Sequence, residues 1–321
     1  MAWVTVNGSK GIWEYENTAV VTDTYKESAD GASMSISNGI RTFTKPGTSD
    51  TVANYMQCRT VSDSVERGEL SKAFYDAVFS AGGGIDTIED SVTDAATTLQ
   101  VWFDGADSGQ FTPSVSDGDT FTQWTDKSNF AHNANPTGGA TTRPTYRTAV
   151  QNGKSIVRFD GTNDCLSVNP VSWAQSLNGM TIISVAKFSN SSGTQTLITS
   201  DQDDIGIFID TNFKITMAGA SADSLTAADT NFHIHSLRFD GTQSGNSARL
   251  VYRVDSVITS PSFTGTVGAT TSASNGTIFI GCDDNAEFMN GDVGEVLMFN
   301  RALTNTEMLN LETYLRTKWG V

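Results

Sequence analysis

Strand-like apolar runs broken by short turn clusters recur through most of the chain. Residues 99–103, 155–159, 180–188, 205–209, 232–239, 248–254, 277–281 and 293–300 each read as a strand. Between them lie Asp160-Gly161, Asn190-Ser191-Ser192-Gly193 and Asp210-Thr211-Asn212, residues that turn a chain at low cost. This spacing predicts a β-sandwich or jelly roll for residues 99–321. The words Val157-Arg158-Phe159-Asp160-Gly161-Thr162 and Leu237-Arg238-Phe239-Asp240-Gly241-Thr242 repeat one strand-and-turn solution, without the further copies a solenoid needs.

Two helices break the pattern. Leu70, Phe74, Ala77 and Val78 recur at helical spacing and predict an amphipathic helix over 69–79. At the C-terminus, Thr304-Asn305-Thr306-Glu307 is a capping box, and Met308, Leu311, Tyr314 and Leu315 then line one face as far as Lys318-Trp319-Gly320. That helix is expected to close the sandwich. Before residue 80 the expected strands are 2–6, 12–15, 19–25, 39–44 and 55–61, the first two joined through the hairpin dipeptide Asn7-Gly8. The glycines at 82–84 and the Asp- and Thr-rich run to 98 suggest a linker. The expected organisation is an N-terminal anchoring module (1–80), a linker (81–98) and an all-β sandwich closed by a C-terminal helix (99–321).

Composition narrows the function classes. Ser and Thr total 76 of 321 residues, with 29 Gly and 6 Pro, which suits short strands and tight turns. The formal charge of −16 is shared, −7 over residues 1–94 and −9 over the rest, so no basic arm is present. Nucleic acid and anionic membranes are therefore unexpected partners, since such binding depends on Lys and Arg. No apolar run approaches the ~20 residues of a membrane-crossing helix, and the first residues lack the basic start and apolar stretch of a signal peptide. Cys58, Cys165 and Cys282 are odd in number and widely spaced, which predicts isolated thiols.

Several segments of residues 97–321 occur in the order and spacing of a known family. They are Val101-Trp102-Phe103-Asp104-Gly105-Ala106-Asp107, Trp124-Thr125-Asp126-Lys127-Ser128, Arg143-Pro144-Thr145-Tyr146, residues 157–164, and residues 291–303 with the helix that follows. Together they resemble the LamG-like jelly roll of the concanavalin A-like lectin and glucanase superfamily. Cys165, where the family carries an aromatic, and Asp255-Ser256, where it carries an Asp-Gly turn, depart from the pattern. Residues 11–17, 39–44 and 66–72 resemble N-terminal segments of structural proteins from tailed phages of aquatic bacteria. That resemblance implies a non-enzymatic virion protein, on the surface of capsid or tail, that stabilises the particle or adheres to host surface glycans, made in the host cytoplasm and present in many copies. Its partners would be other virion proteins and host surface glycans. A bacterial glycan-binding protein or glycoside hydrolase is the alternative.

Candidate chemistry is sparse. Glucanases of this superfamily carry Glu-x-Asp-x-x-Glu on one strand, and the chain has no such run. Glu295 is the one carboxylate inside an apolar strand, with Glu287 in the loop before it; pairing of Glu295 with a neighbouring strand or with Arg301 is expected over catalysis. His233 and His235 should project from one strand face. A hydrogen-bonded pair is favoured over a metal site, because the remaining His132 lies in a polar loop. Calcium is the one candidate cofactor, with Asp201, Asp203 and Asp204 in one acidic loop and Asp283, Asp284 and Asp292 in another as candidate ligands. Trp124, Trp173, Phe213 and Phe288 are the candidate glycan-binding aromatics, because a sugar's C–H face packs on a ring.

Overall fold

The computed structural model describes residues 87–321, except Ser191, Ser192, Ser260 and Asn285, together with the backbone of seven strands between residues 3 and 71. The chain divides into two compact units, Met1–Asp90 and Ser91–Val321.

In the first unit, β1 (Trp3–Val6), β2 (Gly11–Glu14), β3 (Tyr25–Lys26), β6 (Tyr55–Arg59) and β7 (Glu66–Ser71) form an antiparallel sheet in the order β3-β2-β1-β6-β7, while β4 (Ser33–Ser37) and β5 (Ile40–Thr44) pair as a hairpin. The expected helix over 69–79 does not begin where its spacing suggests. Glu69, Leu70 and Ser71 belong to β7 and pair with Gln57, Met56 and Tyr55, so strand pairing prevails there over local periodicity. Residues 72–79 lie outside the described residues.

The second unit is a jelly-roll sandwich of two antiparallel sheets. Its strands are β8 (Leu99–Asp104), β9 (Phe111–Thr112), β10 (Gln123–Trp124), β11 (Ala134–Pro136), β12 (Thr145–Gln151), β13 (Lys154–Asp160), β14 (Leu166–Val168), β15 (Gly179–Phe188) and β16 (Gln195–Ser200). They continue as β17 (Ile205–Ile209), β18 (Asn212–Met217), β19 (Ala220–Ala227), β20 (His233–Asp240), β21 (Leu250–Val254), β22 (Val257–Ile258), β23 (Ser262–Thr264), β24 (Ile278–Ile280) and β25 (Asn290–Phe299). One sheet runs β23-β19-β18-β17-β16-β24-β14-β11-β10-β9; the other runs β12-β13-β25-β15-β20-β21-β22, with β8 also paired to β25.

Alternation decides which side chains meet between the sheets. Ile205, Ile207 and Ile209 of β17 and Phe213, Ile215 and Met217 of β18 point inward, against Ile182, Leu237, Phe239 and Val296 of the facing sheet. At one end of this core, Trp124 sits between Phe103 and Phe111, with ring centroids 5.2 and 5.5 Å away.

Strands β15 and β25 are buried on both faces and so read as nearly unbroken apolar runs. The C-terminal helix (Asn305–Trp319) accounts for the second face. Its capping box forms as expected, with Glu307 N–H donating to Thr304 Oγ1 at 3.2 Å and Thr304 N–H donating to Glu307 Oε2 at 2.8 Å. Met308, Leu311, Leu315 and Trp319 are buried, and Tyr314 is half-buried. Glu312 is buried as well, 3.5 Å from the guanidinium of Arg253 on β21. The last turn approaches β25 closely enough that a Cβ on Gly294 would lie 3.0 Å from the Trp319 ring. Residues 91–98 are not an open linker. Asp94 pairs with Arg301, Asn129 Nδ2 donates to the Ala96 carbonyl, and Asn300 N–H donates to the Thr98 carbonyl. Among the described residues, no helix is long and apolar enough to cross a membrane.

Candidate functional site

The outer face of the ten-stranded sheet carries an unusual row of side chains. The register links Thr112 to Gln123, Asn135 to Ser167, Ser167 to Phe279, Phe279 to Thr199, Thr199 to Gly206, Gly206 to Thr216, Thr216 to Ser221 and Ser221 to Thr264. Gln123 Nε2 closes the remaining gap by donating to Asn135 Oδ1 at 3.1 Å. Every position in this row is uncharged. A second row, Thr196, Phe208, Lys214, Asp223 and Ser262, runs beside it across β16 to β23.

A loop crosses the middle of this face. Leu166 pairs with Ile280, which places Cys165 diagonally across from Cys282, and the two are joined by a buried disulfide with Cα atoms 5.3 Å apart. The expectation of isolated thiols is thus corrected for these two. Their separation of 117 residues conceals a neighbour relation that only strand register creates. Phe279 packs on the disulfide, and half-buried Phe288 covers it. The turn beyond Cys282 is held by Asp283 and Ala286, each of whose N–H groups donates to the other's carbonyl.

Between this loop and strands β16 to β18 lies a cavity of about 310 Å³. Thr194, Thr196, Thr199 and Thr216 supply hydroxyls, Phe208 supplies a ring, and Asp203, Asp210, Asp283, Glu287 and Lys214 supply charge. Gly206 sits in the row between Thr199 and Thr216, and a side chain there would run into Thr216 Oγ1, so glycine keeps the floor low. Lys214 is held by Asp210 and by Asp223 at 3.2 Å, and the Lys214 hydrogen bond pulls the Asp210 carboxyl down to about 2. At the loop side the balance is reversed. Burial first, then the negative charges of Asp203, Glu287 and Asp284, push the Asp283 carboxyl up to about 6.

Other expected site residues lie elsewhere. Trp124 and Phe213 are core residues with no ring surface to offer a ligand. Phe288 packs on the disulfide, and half-buried Trp173 lies 5.6 Å from the ring of His132, which stacks in turn on exposed Phe130. Of the six candidate calcium ligands, only Asp203 and Asp283 share the cavity. Asp284 is exposed beside it, and Asp201 accepts from Gly276 N–H at 3.0 Å. Asp204 accepts from Ser272 N–H and Asn275 Nδ2, and buried Asp292 is engaged by Arg158 at 2.6 Å and Lys187 at 3.3 Å. Asp201, Asp204 and Asp292 are therefore engaged at separate places, away from Asp203 and Asp283. Among the described residues, no three or more His, Cys, Asp or Glu side chains are arranged to hold a metal ion.

Glu295 is fully buried and pairs with a neighbouring strand, one of the two expected arrangements, and not with Arg301. Its carboxylate accepts from Trp102 Nε1 on neighbouring β8 at 2.8 Å, and from Trp319 Nε1 and Lys318 Nζ at 2.7 Å each. Arg301 instead binds Asp94 and Glu307. His233 bridges Asp255 at 2.6 Å and Asp229 at 2.9 Å, whereas His235, fully buried, meets the Tyr252 hydroxyl at 2.7 Å. The carboxylates raise His233, with the Asp255 hydrogen bond the largest cause, and burial drives His235 down to about 3. Phe208 escaped sequence reading. The signal was present in Ile205-Gly206-Ile207-Phe208-Ile209, where strict alternation sends the two non-isoleucines outward.

No protein-family model matches the chain, and no curated protein matches it. Among solved structures, Trypanosoma rangeli sialidase in complex with sialic acid aligns at 12% identity and a TM-score of 0.47, over 98% of this chain and 52% of that one. The botulinum neurotoxin serotype D binding domain aligns at 11% identity and a TM-score of 0.46, over 70% of this chain and 52% of that one. The chain spans about half the length of these proteins.

Proposed function

We propose that the chain is a non-enzymatic glycan-binding protein of a phage particle, in which the sandwich of residues 91–321 contacts sugar through the cavity on its ten-stranded sheet. One observation carries the glycan reading: the Phe208 ring stands among threonine hydroxyls and carboxylates in a cavity of about 310 Å³. A pyranose presents an apolar C–H face and a rim of hydroxyls, and needs this pairing of a ring with fixed polar groups. The phage setting is supported by the sequence words at 11–17, 39–44 and 66–72. Binding to a polysaccharide panel is the direct test. Phe208→Ala should cost tenfold or more in affinity for whichever glycan binds while leaving the melting temperature nearly unchanged. A panel on which nothing binds overturns the reading. Absence of the chain from purified particles, by mass spectrometry, overturns the virion setting.

A second reading, glycoside hydrolysis, is favoured by Asp283. A carboxyl raised to about 6 beside other carboxylates in a cavity is suited to protonate a leaving group. Turnover of a bound glycan, abolished by Asp283→Asn, would replace the first reading with this one.

A further inference from the structure

We propose that the cavity selects amine-bearing sugars and excludes acidic ones, an inference that rests on its being a glycan site. The cavity is bounded on its loop side by Asp203, Asp283 and Glu287. Among the described residues, no Lys, Arg or His nitrogen lies within 4.0 Å of any of the three carboxylates. Lys214 is the only cation among the lining residues, and its ammonium is already shared between Asp210 and Asp223. Some carboxylates in the unit are neutralised by basic side chains, Asp292 by Arg158 and Lys187 and Glu307 by Arg301. This wall, three carboxylates facing one cavity, lacks the positive charge that those two receive.

The mutual repulsion is felt, since Asp203 and Glu287 both contribute to the raised Asp283 carboxyl. A ligand ammonium offers three donors and a compact charge, and would make charge-assisted hydrogen bonds with this wall. A uronic acid, sialic acid or sulfate ester would add a fourth negative group to three unpaired ones. Neutral sugars fall between, donating hydroxyls to the same oxygens. The floor of Phe208 and the threonines is indifferent to ligand charge, so the floor binds sugar and the wall chooses among sugars.

The test compares oligosaccharides of equal length at about 0.15 M salt, where long-range attraction to the net-negative chain is largely screened beyond ~8 Å. Glucosamine oligomers should bind roughly tenfold tighter than N-acetylglucosamine oligomers, about the worth of one charge-assisted contact. Galacturonic acid oligomers should bind weakest. In the double variant Asp203→Asn, Asp283→Asn, the ratio of amine to acetamide oligomer affinity should fall to about one, whatever affinity both oligomers lose with the two carboxylates. Equal or tighter binding of the galacturonate overturns the charge inference and leaves the glycan site standing. An amine preference that survives in the double variant also overturns it, because the preference then comes from net charge. If none of the three binds, the glycan reading fails and this inference fails with it.

Discussion

Trp319 Nε1, in the last turn of the C-terminal helix, donates to Glu295 Oε2 at 2.7 Å, and Glu295 lies in the middle of β25. A buried carboxylate is thus the fastening point of the terminal helix. Lys318 Nζ reaches the same oxygen at 2.7 Å and Asp104 at 2.9 Å, so the last two helical residues both anchor there.

Removing this acceptor should be costly. Glu295→Ala leaves two indole N–H groups without their acceptor and takes from Lys318 one of its two carboxylates, and breaking a buried pair typically costs about 3–5 kcal/mol. Urea unfolding should show a loss of that order. A loss below about 1 kcal/mol would mean that the helix is held by Met308, Leu311 and Leu315 alone.

His235 makes stability depend on pH. Its folded-state value lies far below that of a free histidine, so the unfolded chain takes up a proton that the folded chain refuses. The contribution is fully present above pH ~6.5 and is lost as pH falls towards 3, by about 1.4 kcal/mol per pH unit. His233 has the opposite sign, its stabilisation being present at low pH and lost as pH rises through its raised value. Comparing His235→Phe with the parent between pH 7 and 4 isolates the first group. The stability gap should narrow on acidification, and a constant gap would contradict the buried neutral imidazole.

The disulfide should be chemically detectable. After denaturation without reductant, alkylation should label one cysteine, Cys58, and after reduction all three. Cys282→Ser should lower stability by about 2–4 kcal/mol, as for a cross-link closing a long loop. It should also weaken glycan binding, because the loop carrying Asp283 and Glu287 starts at that cysteine.

Neighbouring residues on β17 should behave in opposite ways. Ile207 is buried in the core, so Ile207→Ala should cost about 2–5 kcal/mol in stability. Phe208→Ala should cost far less in thermal melts and register instead in ligand affinity. Equal destabilisation by both would place Phe208 in the scaffold.

How much of this could be read from the sequence depends on how far apart the interacting residues stand. The capping box of Thr304 and Glu307 was legible because both partners lie within one turn. The isoleucine strand at 205–209 was legible for the same reason. Cys165 and Cys282, or Glu295 and Trp102, become partners only after the strands have chosen their register, and no spacing rule encodes that choice. Glu312 lies outside the apolar face read from the helix, and only the arrival of Arg253 from β21 accounts for a carboxylate buried there. The acidic loops at 201–204 and 283–284 were visible as composition, whereas which of their carboxylates would share a cavity depended on the path of the loop across the sheet.

The alternation in β17 also bears on how this protein can change. Its inward isoleucines answer to the core, while Phe208 faces the cavity and Gly206 makes room for Thr216. On the proposed reading, recognition and foldability are thereby written in alternate letters of one five-residue word. Selection can revise Phe208 while sparing the isoleucines, whereas Gly206 has no room for a side chain beside Thr216, so a lineage facing new surfaces can be expected to diversify at Phe208 first, and a library confined to that position should yield mostly folded variants with altered tastes.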